Sequence, residues 1–288
     1  MSGSRPRAEA RRDIEHALAV MQEHLDAIRG HEPGVRSGTD PEALHDMRTA
    51  TRRLRADLRA VRDIFELDEV ARLRAELRWL GATLGAARDI DVQHAYLEGL
   101  RRLTRGERAI VARLLETLAR DRARARRAVL SALDTARYQR LLRELDARLQ
   151  HPPLVSEDFD LDEVAAHEFD RLRGVVDDLA RPPSDRALHA VRLAVKHARY
   201  AAELAATTRR ARRFVDRAGE IQDVLGEHQD AAITERRLRE ALGRTREGSA
   251  RAAVGRLLRR QRARRLAARE AFARQWPKLE RRGARAWD

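Results

Sequence analysis

The sequence contains no cysteine, which excludes disulfides and thiolate metal sites and fits a reducing compartment. Lysine is almost as scarce: Lys196 and Lys278 are the lysines among 60 Lys and Arg residues, so arginine carries the positive charge. Aromatic residues are few, with five Phe, three Trp and three Tyr, which argues against the stacking platforms of single-strand nucleic-acid readers. No stretch approaches the ~20 apolar residues of a membrane span, and Met1 to Ala10 hold no apolar signal core. No segment sustains the period-two alternation of a strand. The expectation is a soluble, cytoplasmic, all-α protein with no membrane partner.

What is present is charge. The formal net charge is +14 over 288 residues, and it is shared along the chain: residues 1–150 carry 30 of the 60 cations and 24 of the 46 acids. The basicity is therefore built into the helices and is not a tail. Arginine's planar fork suits bidentate phosphate binding, although a GC-rich genome would also enrich Ala and Arg.

One pattern occurs twice. Leu44-His45-Asp46-Met47-Arg48 continues to Arg59, and Leu188-His189-Ala190-Val191-Arg192 continues to Glu203. Shifting by 144 residues superposes His45 on His189, Arg48 on Arg192, Arg52 on Lys196 and Arg55 on Arg199. Steps of three and four residues place each set on one helix face, a cationic rail led by histidine. Beside it runs an apolar face, Leu44, Met47, Leu54, Leu58, Val61 and Phe65 in the first copy and Leu188, Val191, Val195, Ala198 and Ala202 in the second. From His45 to Arg59 a helix rises ~21 Å, enough to follow several phosphates, and two such rails facing a shared groove would focus potential along it.

Periodicity and punctuation predict helices over about 8–30, 41–65, 68–103 and 106–149, then 157–180, 185–207, 210–242 and 246–275. Pro33, Gly34 and Gly38 precede a start at Asp40-Pro41, and Pro182-Pro183 precede a cap at Ser184. Leu84-Gly85-Ala86-Ala87-Arg88-Asp89 and Leu225-Gly226-Glu227-His228-Gln229-Asp230 predict a helix break near 86 and near 227, and so a kinked helix in each half, with the aspartates capping the next helical segment, buttressing nearby cations or binding ligand. His151-Pro152-Pro153 marks a division into 1–150 and 151–288.

The order, spacing and duplication of Leu-His-x-x-Arg-x-x-x-Arg/Lys-x-x-Arg, each copy followed by Leu-Gly-x-x-x-Asp, resemble the CHAD family, the conserved histidine α-helical domain. Ala132-Leu133-Asp134-Thr135-Ala136-Arg137-Tyr138 is similar to the family's closing-helix pattern. The resemblance implies two four-helix bundles, 1–150 and 151–288, related by pseudo-twofold symmetry and together forming one stand-alone domain. It also implies a basic cleft that binds inorganic polyphosphate, with polyphosphate granules as the candidate place of association. By position, His45, Arg48, Arg52, Arg55, His189, Arg192, Lys196 and Arg199 would face phosphate, with Arg53, Arg59 and His197 beside them. Two departures set the copies apart: Glu203 stands opposite Arg59, and His197 opposite Arg53.

Arg120, Arg124 and Arg127, and Arg256, Arg259, Arg260 and Arg264, share helix faces and are candidates for additional basic surface. His45 and His189 have no second histidine at i+3 or i+4 and are flanked by arginines, so no metal site and no cofactor is expected. The sequence has no Gly-x-x-x-x-Gly-Lys loop and no repeated carboxylate pair, and an enzyme is not expected. Two other readings carry the same charge: weak, non-specific binding to nucleic-acid backbones, and a helical scaffold for acidic protein partners.

Overall fold

Alanine, leucine and arginine are strong helix formers, and they fill the nine α-helices of the computed structural model, which describes residues 7–40, 42–206, 208–243 and 247–287. These are α1 (Arg7–Ser37), α2 (Ala43–Ala60), α3 (Leu67–Glu98), α4 (Arg105–Leu133), α5 (Ala136–Gln150), α6 (Leu161–Asp177), α7 (Asp185–Leu204), α8 (Arg209–Gly243) and α9 (Gly248–Trp287). A 3₁₀ turn, Arg62–Ile64, follows α2. The one extended pairing among the described residues is an isolated bridge between Phe65 and Leu154. The chain is all-α, and no described helix is long and apolar enough to cross a membrane.

Three expectations are corrected. The helix expected over 106–149 is two helices: Thr135 adopts an extended backbone and its hydroxyl caps α5, accepting from the Tyr138 N–H at 3.2 Å. The breaks expected near 86 and 227 are absent: α3 and α8 are continuous through both motifs. Proline does not end α1 either; the helix continues past Pro33 to Ser37, held by buried Val35 and by Arg36, which binds Glu32 and Asp134. Chain reversal falls instead at Gly38, whose φ of +72° lies in the left-handed region that favours glycine. Ser184 caps α7 as expected, accepting from the Ala187 N–H at 3.1 Å. Pro41 lies outside the described residues.

The chain forms two compact units, each discontinuous in sequence. The first comprises Met1–Asp89, Ala123–Ala166 and Tyr200–Ala206; the second comprises Ile90–Arg122, His167–Arg199 and Thr207–Asp288. These boundaries differ from a division at residue 150, because α3, α4, α6 and α7 each give residues to both units. In the first, Met21, Leu25 and Ile28 of α1, Met47, Leu54 and Leu58 of α2 and Tyr138 and Leu141 of α5 are buried. In the second, Leu97, Ile110, Val111, Leu118, Leu238, Val254 and Leu257 form one cluster. Phe169, Phe214 and Trp287 form another, with Phe214 edge-on to both neighbours. The buried positions of α8, Ala211, Phe214, Ala218, Ile221 and Leu225, repeat those of α3, Val70, Leu73, Leu77, Leu80 and Leu84, at a shift of 141 residues.

Candidate functional site

The three-and-four spacing of α2 separates its faces as the sequence implies. Met47, Leu54, Leu58 and Val61 are buried, whereas His45, Arg48, Arg52, Arg55 and Arg59 stay half-buried along the opposite stripe. That stripe meets a second one on α3 that the duplicated pattern does not reveal: Arg74, Arg78, Gly81, Gly85 and Arg88, stepping by four and three. Gly81 faces Thr51, and Gly85 lies so close to Arg48 that a Cβ there would be 3.2 Å from the guanidinium Nε. Gly85 lets Arg48 of α2 lie on α3, and the arginines flanking the two glycines extend the cationic surface.

The electrostatics of this cluster are dominated by burial and by like charge. Burial depresses Arg55, and the neighbouring Arg78 and Arg52 push it further down. Arg74 is lowered by burial and then by Arg59, Arg55, Arg78 and Arg62. Burial also lowers Arg52, whose guanidinium lies over the Tyr200 ring, 5.5 Å from its centroid. The His45 imidazole is held below its ordinary value by burial and by Arg88, which keeps it neutral at pH 7. Buried Nδ1 of His45 and Nε of Arg52, Arg74 and Arg88 have no hydrogen-bond partner among the described residues.

Carboxylates border the cluster at identifiable points. Asp89 lies 3.3 Å from Arg48 and so buttresses a cation inside a continuous helix; it does not cap a new one. Glu42 approaches Arg88 at 3.9 Å. Arg53 is turned to Glu203 at 3.3 Å, which accounts for the acid that replaces the last cation of the second rail. Beneath α2, buried Asp57 accepts a 2.7 Å hydrogen bond from His24, and burial raises its pKa despite that bond.

On α7, Leu188, Val191, Val195, Ala198 and Ala202 are buried, and the cationic side carries exposed His189 with half-buried Arg192, Lys196, His197 and Arg199. At the shift of 141 residues, Val215, Gly219 and Gln229 of α8 stand where α3 has Arg74, Arg78 and Arg88. The Arg199 guanidinium thus lies against Gly219, 3.4 Å from where a Cβ would sit. The second rail lacks the cations that α3 adds to the first.

The other arginine sets separate. Arg120, Arg124 and Arg127 are exposed on α4, but Arg120 belongs to the second unit and the others to the first. On α9, Arg256 binds Glu107 and Thr104, Arg260 binds the carbonyls of Arg101 and Arg102, and Arg264 binds Glu227 and stacks on Tyr96. Those three fasten helices within the second unit, leaving Arg259 as the exposed member.

The CHAD domain family matches this sequence over residues 19–239. The chain belongs to the CHAD family. Among solved structures it is similar to PptA from Streptomyces chartreusis, with 25% identity and a TM-score of 0.78 over 93% of this chain and 99% of that one. It is also similar to the CHAD domain of the plant Ricinus communis, with 26% identity and a TM-score of 0.70 over 91% and 90%. The Mycobacterium tuberculosis proteins Rv2226 and MT2285 are 33% identical over 210 residues, 68% of this chain. The match covers 40% of the length of these curated relatives. The family is linked to polyphosphate binding.

Proposed function

We propose that this protein binds inorganic polyphosphate without transforming it, with the α2–α3 arginine cluster as the principal grip and the α7 rail as a weaker second one. The observation that carries the reading is the environment of Arg74: the charges that act on it most strongly are the arginines Arg59, Arg55, Arg78 and Arg62. A fold that concentrates guanidinium groups against their mutual repulsion is stabilised by a polyanion that threads between them. Polyphosphate supplies about one negative charge per unit and has no bases, so it needs a row of bidentate donors and nothing that stacks. The aromatic ring at the cluster, Tyr200, is 5% exposed and is occupied by Arg52, so no platform for a base is offered. This favours polyphosphate over nucleic acid. A helical scaffold for acidic proteins would require neither the histidine-led rails nor the glycine, Gly85, that seats Arg48. Cytoplasmic placement with association to polyphosphate granules follows from the same reading.

The test is competition at physiological salt between long polyphosphate and single-stranded DNA of matched total charge. Polyphosphate should displace the DNA at well under a tenth of the charge-equivalent concentration, and pyrophosphate should bind poorly because it spans few rail positions. Equal competition by the two polymers would overturn the assignment.

A further inference from the structure

The second unit holds a surface pocket of about 360 Å³ whose described lining residues are all arginines: Arg210 and Arg213 from the start of α8, and Arg282 and Arg285 from the end of α9. None of the four pairs with a carboxylate among the described residues. The corresponding place in the first unit shows what is unusual here. Besides the match of α8 to α3 at a shift of 141, the buried Trp276, Leu279 and Gly283 of α9 match Tyr138, Leu141 and Leu145 of α5 at a shift of 138. By these shifts Arg213 corresponds to Arg72, Arg282 to Glu144 and Arg210 to Glu69. In the first unit Arg72 binds Glu144 at 2.5 Å and Arg148 binds Glu69 at 2.5 Å, so α3 and α5 are joined by ion pairs. The second unit keeps the cation and replaces both acids with arginine. What compensates mechanically is aromatic: Phe169, Phe214 and Trp287 pack together beside these helix ends. Thr208 caps α8 by accepting from the Ala211 N–H at 3.1 Å. The four arginines therefore stand on a fixed frame, and their repulsion is left for a ligand to neutralise.

We propose that this pocket is a second anion site, separate from the α2–α3 cluster, that takes a compact oligophosphate with three or more closely spaced phosphates. Four guanidinium forks around one cavity can each grip a different phosphate oxygen pair, whereas a single orthophosphate is too small to engage them all. The volume lies within the range of small-ligand pockets. The proposal stands on this pocket's own residues and does not depend on the α2–α3 cluster binding polyphosphate.

Calorimetric titration of the full chain with tripolyphosphate separates the two sites. In a protein whose α2–α3 cluster is reversed by Arg55→Glu and Arg74→Glu, tripolyphosphate should still bind at one site. Adding Arg282→Glu restores beside Arg213 the carboxylate that the first unit has as Glu144, and affinity should fall at least tenfold while the thermal midpoint holds or rises. Arg282→Gln, which removes the charge without adding one, should weaken binding in the same direction and guards against a folding effect. Long polyphosphate is titrated separately, because a chain end presents the same phosphate spacing. In the cluster-reversed protein, a pocket for chain ends loses affinity for both ligands when Arg282→Glu is added, and one for free oligophosphate loses it for tripolyphosphate alone. The proposal is overturned if the cluster-reversed protein, still folded, no longer binds tripolyphosphate, or if Arg282→Glu and Arg282→Gln leave that binding within twofold.

Discussion

At Gly85 a single methyl group sets stability against grip. Glycine inside a helix costs about 1 kcal/mol relative to alanine, yet a Cβ here would sit 3.2 Å from Nε of Arg48. Gly85→Ala should therefore raise the unfolding free energy by somewhat under 1 kcal/mol while shifting the Arg48 guanidinium and weakening polyphosphate binding a fewfold. Denaturant unfolding and a binding isotherm on the same variant check both signs. His45 carries a pH prediction. Its folded pKa lies below the ordinary ~6.5 because of burial and Arg88, so its contribution to stability is complete above that value and is lost as pH falls through the folded one. A bound polyanion acts the other way and draws a proton on. Polyphosphate binding should accordingly take up protons, with affinity rising at the acid end of the pH 8 to 6 window. His45→Gln should lose most of that uptake, measured by calorimetry in buffers of different ionisation heat; undiminished uptake would remove His45 from the site.

At the scale of elements, α2 is held by a polar contact as well as by its apolar face. His24 of α1 donates to Asp57, which is 3% exposed. His24→Ala leaves that carboxylate buried without its donor and should cost about 3 kcal/mol, whereas Asp57→Asn, which removes the buried charge, should cost clearly less. Urea unfolding of the two variants decides the order. The rails of α2 and α7 were legible in the sequence because histidine, cations and apolar residues recur in both copies at helical spacing. Arg74, Arg78 and Arg88 were not, since a reading built on duplication sees only what both copies keep, and α8 has Val215, Gly219 and Gln229 there. The signal that could have found them is the stripe they form with Gly81 and Gly85. The α4–α5 break was missed because Thr135 alone marks it, with no glycine or proline beside it. The expected breaks fail for the opposite reason: Gly85 serves close packing against Arg48 and leaves the helix continuous.

For the whole molecule, a net charge of +14 guarantees some attraction to any polyanion, so the account stands on whether binding follows particular arginines. Reversing Arg55 and Arg74 to Glu lowers the formal charge by 4, from +14 to +10. Reversing Arg143 of α5 and Arg274 of α9, both exposed, does the same. In the cluster, each reversal removes a charge-assisted contact of ~1.5 to 3 kcal/mol and adds repulsion toward the ligand, but it also relieves the crowding among Arg52, Arg55, Arg59, Arg74 and Arg78. The control pair loses only a screened long-range term. The decisive measurement is therefore the long-polyphosphate affinity of the two variants side by side at physiological salt, with thermal midpoints recorded on the same samples. The account predicts that Arg55→Glu/Arg74→Glu binds more than tenfold more weakly than Arg143→Glu/Arg274→Glu while melting at the same temperature as the unaltered protein or higher. Equal weakening by both pairs, with folding intact, would contradict it and leave the protein a diffuse polycation.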